Sequence, residues 1–318
     1  MDGSARALAV GTSIAHLDPT RPGSREDPGL LPRHSRRSSP AGARGRSRCH
    51  SIRRYPPKLR KSPELGQPIP KFRHKRVTSV SHYSGADRVQ QVDLWIWGLD
   101  DPVPARVVAA LSDEERTRAL RFAAPLHASR FVSARAGLRG ILARYVGLPP
   151  GALQFSYGPH GKPALCGTHR PVPHFNLSHS GRLAALGLCW NSDLGIDIEL
   201  IRPIEENVAG LFSTGEQQAL AELSGVHALR RFYQIWTCKE ALLKGLGSGL
   251  AVPLDRFEIS IVPDQPALVL DLDGDLKAAC QWQLCQFEPA SDFVGALAIP
   301  AQLSLRLIYL ASICDVCA

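Results

Sequence analysis

Apolar and polar residues alternate along a series of short segments that begins near residue 91. In one of them, Asp197 and Glu199 alternate with three aliphatic residues. Successive side chains of a strand point to opposite faces. This alternation therefore predicts a β-strand with both carboxylates on one face. The same pattern predicts strands over 92–97, 153–157, 174–178, 183–190, 194–200, 256–262, 267–271, 281–287 and 293–299.

Other segments carry apolar residues at the spacing of helices. Residues 112–115 read Ser-Asp-Glu-Glu, a capping box that predicts the start of a helix with acidic residues at the positive end of its dipole. The apolar spacing predicts further helices over 126–145, 205–211, 214–223 and 226–246. Thr214 is the expected N-cap of the third of these.

Helices and strands follow one another in blocks rather than as strict strand–helix–strand units. This order favours an α+β fold. The order of helices followed by strands also occurs twice, over 104–200 and over 205–299. We therefore expect two similar α+β halves, 91–200 and 201–302, related by a pseudo-two-fold, although no residue-level repeat is visible. Pockets commonly form between such halves, and we expect the active site there.

The positive charge of the chain is confined to its first part. The net charge is +9 over 318 residues, yet residues 1–85 hold 18 Lys and Arg against 5 Asp and Glu, whereas the remainder holds 20 against 24. Residues 1–90 are also rich in Pro, Ser and Gly and lack an apolar period, which predicts a disordered basic tail. Such a tail could attract nucleic acid or anionic lipid, or it could be a dispensable extension, which is the interpretation we favour. No element is assigned to the C-terminal tail, residues 303–318.

Two features bear on where the protein acts. No segment has the roughly 18 consecutive apolar residues that a membrane span needs. The eight cysteines are scattered, and the single C-x-x-C pair, Cys314 and Cys317, has no second pair or histidine beside it. We therefore expect reduced cysteines, with Cys166, Cys189 and Cys238 buried, and a cytoplasmic protein.

Acidic residues from two distant segments can converge. Trp236, Glu240 and Lys244 fall at successive four-residue steps of a predicted helix and share one face. If the strand over 194–200 packs against this helix, Glu240 joins the two carboxylates of the strand, with an amine beside them. Converging carboxylates repel one another unless a cation lies among them, and hard oxygen ligands suit Mg²⁺. The alternative is that these residues are solvated surface charges.

Two upstream segments carry groups that suit phosphate. Residues 161–163 read Gly-Lys-Pro, a tight turn that displays an amine, and residues 175–181 read Phe-Asn-Leu-Ser-His-Ser-Gly at the end of a strand. Hydroxyl and imidazole groups there can donate to phosphate oxygens. A hydrolase using Ser178 and His179 is disfavoured, because adjacent residues do not easily form a nucleophile–base hydrogen bond and the chain has no Gly-x-Ser-x-Gly elbow.

In this order, these segments resemble the motifs of the 4′-phosphopantetheinyl transferases. The likeness rests on Gly-Lys-Pro, Phe-Asn-Leu-Ser-His-Ser, Gly-Ile-Asp-Ile-Glu and Trp-Thr-Cys-Lys-Glu-Ala-Leu-Leu-Lys, and it covers roughly residues 91–300. Within this family, the segments resemble the larger, pseudo-dimeric type that activates peptide and polyketide synthetases. The resemblance implies a monomeric, Mg²⁺-dependent enzyme that moves the phosphopantetheine arm of coenzyme A to a serine hydroxyl of an apo carrier protein and releases 3′,5′-ADP.

The resemblance also implies roles for individual residues. The metal ligands would be Asp197, Glu199 and Glu240. Glu240 would also accept the proton of the serine, directly or through a metal-bound water, and Lys244 would be a second catalytic residue. Coenzyme A would be bound by Arg118, Arg130, Gly161, Lys162, Pro163, Ser178, His179 and Lys244.

Some positions depart from this pattern or have no role in it. Arg118 stands where other members carry a lysine, and it keeps the positive charge expected near the 3′-phosphate. Lys239 points about 100° away from its neighbour Glu240 on a helix, so we expect it at the surface. Glu216, at a helix start, has no assigned role.

A protein of another class is the main alternative. A non-enzymatic nucleic-acid binder would use the basic tail, and its salt-sensitive binding would disappear when residues 1–85 are removed. The enzyme interpretation expects transfer to survive the same truncation. The sequence does not indicate which carrier protein or pathway is served.

Overall fold

The computed structural model describes residues 91–168, 171–204, 208–248, 252–262, 265–301 and 306–311. The basic tail expected over residues 1–90 lies outside these residues, as do Cys314 and Cys317. Within the described part of the chain, no helix combines the length and the apolar character that crossing a membrane requires.

The described residues form a mixture of helices and strands. The helices are α1 (Ala105–Val108), α2 (Asp113–Ala119), α3 (Pro125–Val146), α4 (Thr214–Ala221), α5 (Gly225–Leu246) and α6 (Leu276–Ala279). The strands are β1 (Gln91–Gly98), β2 (Gln154–Tyr157), β3 (Pro163–Cys166), β4 (His174–Ser180), β5 (Leu183–Cys189), β6 (Gly195–Leu200), β7 (Phe257–Ser260), β8 (Leu268–Leu272), β9 (Trp282–Phe287), β10 (Phe293–Pro300) and β11 (Arg306–Ala311). Every strand predicted from the alternating pattern is confirmed. Of the helix expected over 205–211, the described residues 208–211 form a 3-10 turn.

The strands are arranged in two larger sheets and two hairpins. The first sheet has the order β11-β1-β5-β4 and the second the order β6-β10-β9, while β2–β3 and β7–β8 pair separately. Strand β11 pairs in parallel with β1, from Gln91 opposite Arg306 to Ile96 opposite Ala311. It lies within the C-terminal segment to which the sequence pattern assigned no element.

Each of the two long helices packs on one of the larger sheets. Leu138 and Leu142 of α3 are buried in a cluster with Trp95 of the first sheet. Leu242 of α5 is buried in a cluster with Ala296 of the second. Burial of such side chains stabilises the fold by about 1.5–3 kcal/mol each, so each helix is held to its sheet by its own core.

Two of the expected cysteine positions are buried and one is not. Cys189 in β5 and Cys238 in α5 are buried, whereas Cys166 is only partly buried. The expectation for Cys166 is wrong because its strand, β3, belongs to a two-stranded hairpin with solvent on one side.

Capping boxes open both short helices that precede the long ones. Ser112 accepts a hydrogen bond from the backbone N–H of Glu115, and the Glu115 carboxylate accepts one from the backbone of Ser112. At α4 the same reciprocal pair is made by Ser213 and Glu216. The prediction of Thr214 as the cap is therefore wrong, because Ser213 has the extended backbone of a cap and reaches the N–H three residues on.

Strand β6 lies directly against the backbone of α5. A Cβ atom at Gly195 would lie 1.9 Å from the carbonyl oxygen of Ala241 and 2.3 Å from the backbone nitrogen of Gly245. Only glycine fits so close an approach. The strand over 194–200 therefore packs on α5. This packing is what the predicted convergence of the β6 carboxylates with Glu240 requires.

Strand β4 adjoins β6, and polar side chains of β4 make the contact. We call the side chains of Asn176, Ser178 and Ser180 the β4–β6 seam. They accept hydrogen bonds from the backbone N–H groups of Ile196 (2.8 Å), Ile198 (3.3 Å) and Leu200 (3.1 Å). The seam therefore joins the edge strands of the two larger sheets.

Candidate active site

The contact between β6 and α5 brings acidic and basic side chains together. Lys244 Nζ lies 2.6 Å from Asp197 Oδ1, and both side chains are largely buried. Glu240 is on the same face of α5 as Lys244 and is only 8% exposed. Burial, together with the charge of Asp197, raises the pKa of Glu240 to about 7, although Lys244 acts in the opposite direction.

Burial and neighbouring charges also shift the pKa values of the other groups in this cluster. Burial raises the pKa of Asp197, and Lys244 and Ser178 offset only part of this effect. Burial and the charge of Asp197 raise the pKa of Glu199 well above its ordinary value. Burial acts to lower the pKa of Lys244, but Asp197 and Glu240 outweigh it and the net pKa is raised. One protonated amine thus faces three carboxyl groups in a desolvated site.

The donor set suits a hard divalent cation. Asp197 Oδ2 is buried and has no hydrogen-bond partner among the described residues, and such an orphaned oxygen is costly unless a cation or a proton compensates it. Within the described residues, no three His, Cys, Asp or Glu side chains stand close enough together to enclose a metal ion by themselves. Mg²⁺ usually takes one or two carboxylates and completes its coordination with water and phosphate oxygens. The assignment of Asp197, Glu199 and Glu240 as its ligands stays a prediction.

Basic groups border the acidic cluster. Burial lowers the pKa of His179 to about 4, and the positive charges of Lys244 and Arg118 add to this effect. The guanidinium of Arg118 also lies 5.3 Å from the ring centre of Phe131. A neutral imidazole and two cations close to one another form a site that favours an anion.

Lys162 is held by several acceptors in the structure. Its amine lies 3.2 Å from the carbonyl oxygen of Leu194, 3.3 Å from that of Gly245 and 3.4 Å from the Asp193 carboxylate. It therefore ties the β2–β3 turn, where Gly161 has a φ of +81°, to the end of α5.

Two other predicted ligands of coenzyme A are bonded to protein carboxylates. Arg130 makes a two-pronged contact with Asp100, at 2.7 and 2.8 Å. Ser178 is completely buried, and its Oγ donates to Asp197 Oδ1 at 2.8 Å. A phosphate at Arg130 would have to exchange with Asp100. Pro163 opens β3, next to Lys162.

The contacts between the hydroxyls of β4 and the carboxylates of β6 were not predicted from the sequence. Ser180 Oγ donates to Glu199 Oε2 at 2.6 Å, so each carboxylate of β6 receives a hydroxyl of β4. The available signal was the period of two by which Ser178 and Ser180 share a face of their strand.

The surface position expected for Lys239 is wrong. Its side chain is fully buried and pairs with Glu216 at 2.8 Å. Its amine also donates to the carbonyl oxygen of Leu254 at 2.7 Å. The turn before β7 covers this face of α5, so Lys239 and Glu216 stabilise the fold away from the carboxylate cluster.

Comparisons with known proteins show which family the chain belongs to. Residues 193–298 match the model of the 4′-phosphopantetheinyl transferase superfamily, a span that includes β6 and α5. The chain is 36% identical over 215 residues to the 4′-phosphopantetheinyl transferase HetI of Nostoc sp., which covers 66% of this chain and 87% of that protein. It is 36% identical to a putative 4′-phosphopantetheinyl transferase of Synechocystis sp., over 61% of this chain and 78% of that protein. It is 32% identical to the 4′-phosphopantetheinyl transferase Sfp of Bacillus subtilis, over 50% of this chain and 70% of that protein. The chain therefore belongs to the 4′-phosphopantetheinyl transferase superfamily.

Proposed function

We propose that the protein transfers the 4′-phosphopantetheine group of coenzyme A to a serine hydroxyl of an apo carrier protein. The observation that carries this proposal is the buried cluster of Asp197, Glu240 and Lys244, with the unsatisfied Asp197 Oδ2. An anion-binding group, His179 and Arg118, borders it. A site with carboxylates for a cation and cations for phosphates suits phosphoryl transfer, which depends mainly on positioning and charge stabilisation.

The proposed reaction is a single displacement at phosphorus. The serine oxygen attacks the β-phosphorus of coenzyme A and forms a new O–P bond, while the bond from this phosphorus to the bridging oxygen breaks. The leaving group is 3′,5′-ADP, which keeps the bridging oxygen. Glu240 takes the serine proton, because its carboxylate faces the cluster from a rigid helix.

Different charged residues of the chain would bind different parts of coenzyme A. Lys244 and His179 would hold oxygens of the diphosphate, and Arg118, Arg130 and Lys162 would hold the 3′-phosphate end. Asp197, Glu199 and Glu240 would hold Mg²⁺ together with oxygens of the diphosphate, where the ion would neutralise the charge that develops. Strand β6 and helix α5 of one chain supply the whole cluster, so we propose that a monomer is sufficient.

We also infer that the two halves are related by an internal repeat. In the first half, the carboxylate of Glu115 from a capping box pairs with Arg139 on the long helix α3, at 2.7 Å. The Arg139 guanidinium also donates to the carbonyl oxygens of Pro150 and Leu153, in the turn before the β2–β3 hairpin.

The second half contains the corresponding set of contacts, which supports the repeat. Glu216, also from a capping box, pairs with Lys239 on α5, whose amine donates to the carbonyl oxygens of Leu254 and Phe257, at the start of the β7–β8 hairpin. Arg139 and Lys239 each occupy the fifteenth position of a 22-residue helix. The same three-part contact at the same helix position is evidence for a duplicated unit rather than a coincidence of packing.

Mass spectrometry of a carrier protein tests the proposed function. The chain is incubated with coenzyme A, Mg²⁺ and several apo carrier proteins, and a phosphopantetheine mass increment on the carrier is the expected result. Asp197→Asn and Glu240→Gln should each lower the rate by about 10²-fold or more, because a charge that acts on the reacting groups is lost. Asp255→Asn, an exposed acidic residue elsewhere, is the matched control. The absence of transfer to every carrier tested, or an active Asp197→Asn variant, contradicts the proposal.

Dephospho-coenzyme A, which lacks the 3′-phosphate, tests the position of Lys162. If Lys162 reaches that phosphate, Lys162→Ala should raise the KM for coenzyme A and change the KM for the dephospho form much less. Equal losses for both substrates would place the amine elsewhere, in keeping with its bonds to Leu194 and Gly245.

A further inference from the structure

The β4–β6 seam contacts the acidic residues of the site as well as the backbone. A serine hydroxyl has a single proton to donate. Because a backbone N–H of β6 donates to Ser178 Oγ, that proton is available to an acceptor, and the acceptor is Asp197 Oδ1 at 2.8 Å. Ser180 repeats the arrangement: it accepts from a β6 backbone N–H and donates to Glu199 Oε2 at 2.6 Å. The strand backbone thereby fixes the direction in which both hydroxyls donate.

The seam leaves a defined oxygen of Asp197 without a partner. Oδ1 receives both the Ser178 hydroxyl and the Lys244 amine, at 2.8 and 2.6 Å. Oδ2 is buried and receives no hydrogen bond from the described residues. A carboxylate that is anchored by one oxygen presents the other in a fixed direction, which is what a cation site requires.

We propose that Ser178 and Ser180 are positioning residues that hold Asp197 and Glu199 ready for a divalent cation, an inference that rests on the proposed function. Ser178 is fully buried and its hydroxyl donates to Asp197, so its positioning role acts through that carboxylate. Ser180 holds Glu199 in the same way. Groups that orient metal ligands typically contribute 10- to 100-fold to metal affinity.

Ser180 is the better residue to change, because it is only partly buried and its replacement disturbs the core less. Ser180→Ala removes both the donor to Glu199 and the acceptor for the β6 backbone, while Ser180→Thr keeps a hydroxyl in a residue that suits strands. Asn176→Ala is the matched control. Asn176 belongs to the same seam and accepts from the backbone of Ile196, but it donates to neither carboxylate in the described structure.

Binding of Mn²⁺ to the full chain, followed by the electron paramagnetic resonance signal of the free ion, gives a readout separate from activity. The titration is made with and without coenzyme A, and thermal unfolding is recorded for each variant. We expect Ser180→Ala to weaken Mn²⁺ binding by about 10-fold and Ser180→Thr to restore it. Asn176→Ala should lower the unfolding temperature and leave the Mn²⁺ affinity unchanged.

The outcomes separate this inference from the proposed function. If the wild-type chain binds Mn²⁺ and transfers phosphopantetheine but Ser180→Ala binds Mn²⁺ equally well, the inference alone is overturned. It is also overturned if Asn176→Ala weakens Mn²⁺ binding as much as Ser180→Ala does, because the seam would then act only on the fold. A wild-type chain that neither binds Mn²⁺ nor modifies any carrier overturns the proposed function as well.

Discussion

Replacement of Glu115 by glutamine should destabilise the protein strongly, although glutamine keeps one side-chain oxygen for the capping box. Glutamine can still accept from the Ser112 backbone, as in other capping boxes. What is lost is the negative charge that faces Arg139 at 2.7 Å and Arg135 at 2.5 Å. The Arg139 side chain is only 3% exposed, so its charge would be left without a carboxylate in a desolvated site.

The expected loss is about 3 kcal/mol in the free energy of unfolding. Breaking a buried ion pair from one side costs roughly 3–5 kcal/mol. The lower end applies because Arg139 keeps the carbonyl oxygens of Pro150 and Leu153 as acceptors. For a chain of this size the loss corresponds to about 6–12 °C in Tm.

The effect should also depend on pH. Burial acts to raise the pKa of Glu115, but Arg135, the Ser112 backbone and Arg139 outweigh it, and the pKa is lowered below its ordinary 4.5. A lowered pKa contributes stability that is present above 4.5 and is lost as the pH falls through the pKa of the folded state. The difference between wild type and Glu115→Gln should therefore be largest near neutral pH and shrink below pH 4.5.

Urea unfolding followed by tryptophan fluorescence measures this difference, since Trp95 and Trp97 lie in the core against α3. The matched control is Glu114→Gln, which removes the same charge from the same helical turn at an exposed position. It should change stability by no more than about 1 kcal/mol, the usual size of a helix-dipole effect. A loss below about 1 kcal/mol for Glu115→Gln, or one that stays constant from pH 7 to pH 3, refutes the reasoning.

Three further perturbations test other parts of the structure. Glu216→Gln should cost about 3–5 kcal/mol by leaving the Lys239 amine buried without its carboxylate, and the double variant with Lys239→Met should recover much of that loss in urea unfolding; additive losses would contradict the pairing. Gly195→Ala places a Cβ 1.9 Å from a backbone oxygen, so β6 must shift and carrier modification should fall by about 100-fold, whereas Gly210→Ala, where no atom lies within 4 Å, should be nearly neutral. Deletion of residues 1–85 should leave transfer to the carrier intact, and salt-sensitive binding of nucleic acid that vanishes with this deletion would instead favour the alternative function.

Elements that follow from local patterns were predicted well from the sequence. The alternation of apolar residues with Asp197 and Glu199 predicted the strand. The four-residue spacing of Glu240 and Lys244 predicted their shared helix face. Both signals depend only on nearby residues and on the periods of strands and helices. The capping box at Ser112 was found for the same reason.

Features that depend on distant contacts could not be read in this way. Lys239 looks like a surface residue on its own helix, and it is buried because a hairpin some fifteen residues later covers it. The bond from Ser180 to Glu199 exists only because two edge strands meet. Strand β11 likewise depends on pairing with β1, more than two hundred residues away, and its segment has no distinctive period.

The internal repeat that we infer would explain why a duplicated unit contains one active site rather than two. If the two long helices are matched at their equivalent basic residues, Gly140 falls where Glu240 stands and Arg144 falls where Lys244 stands. Gly140 is buried and has no carboxylate, and Arg144 is exposed, whereas Lys244 is largely buried. The helix of the first half therefore offers neither a base nor a metal ligand at these positions; in our proposal the first half contributes cations such as Arg118 and, from β6, the carboxylates of Asp197 and Glu199. In our proposal Asp197 and Glu199 come from the first half, and Glu240 and Lys244 come from the second. The reaction therefore requires both halves, which meet where β6 packs on α5.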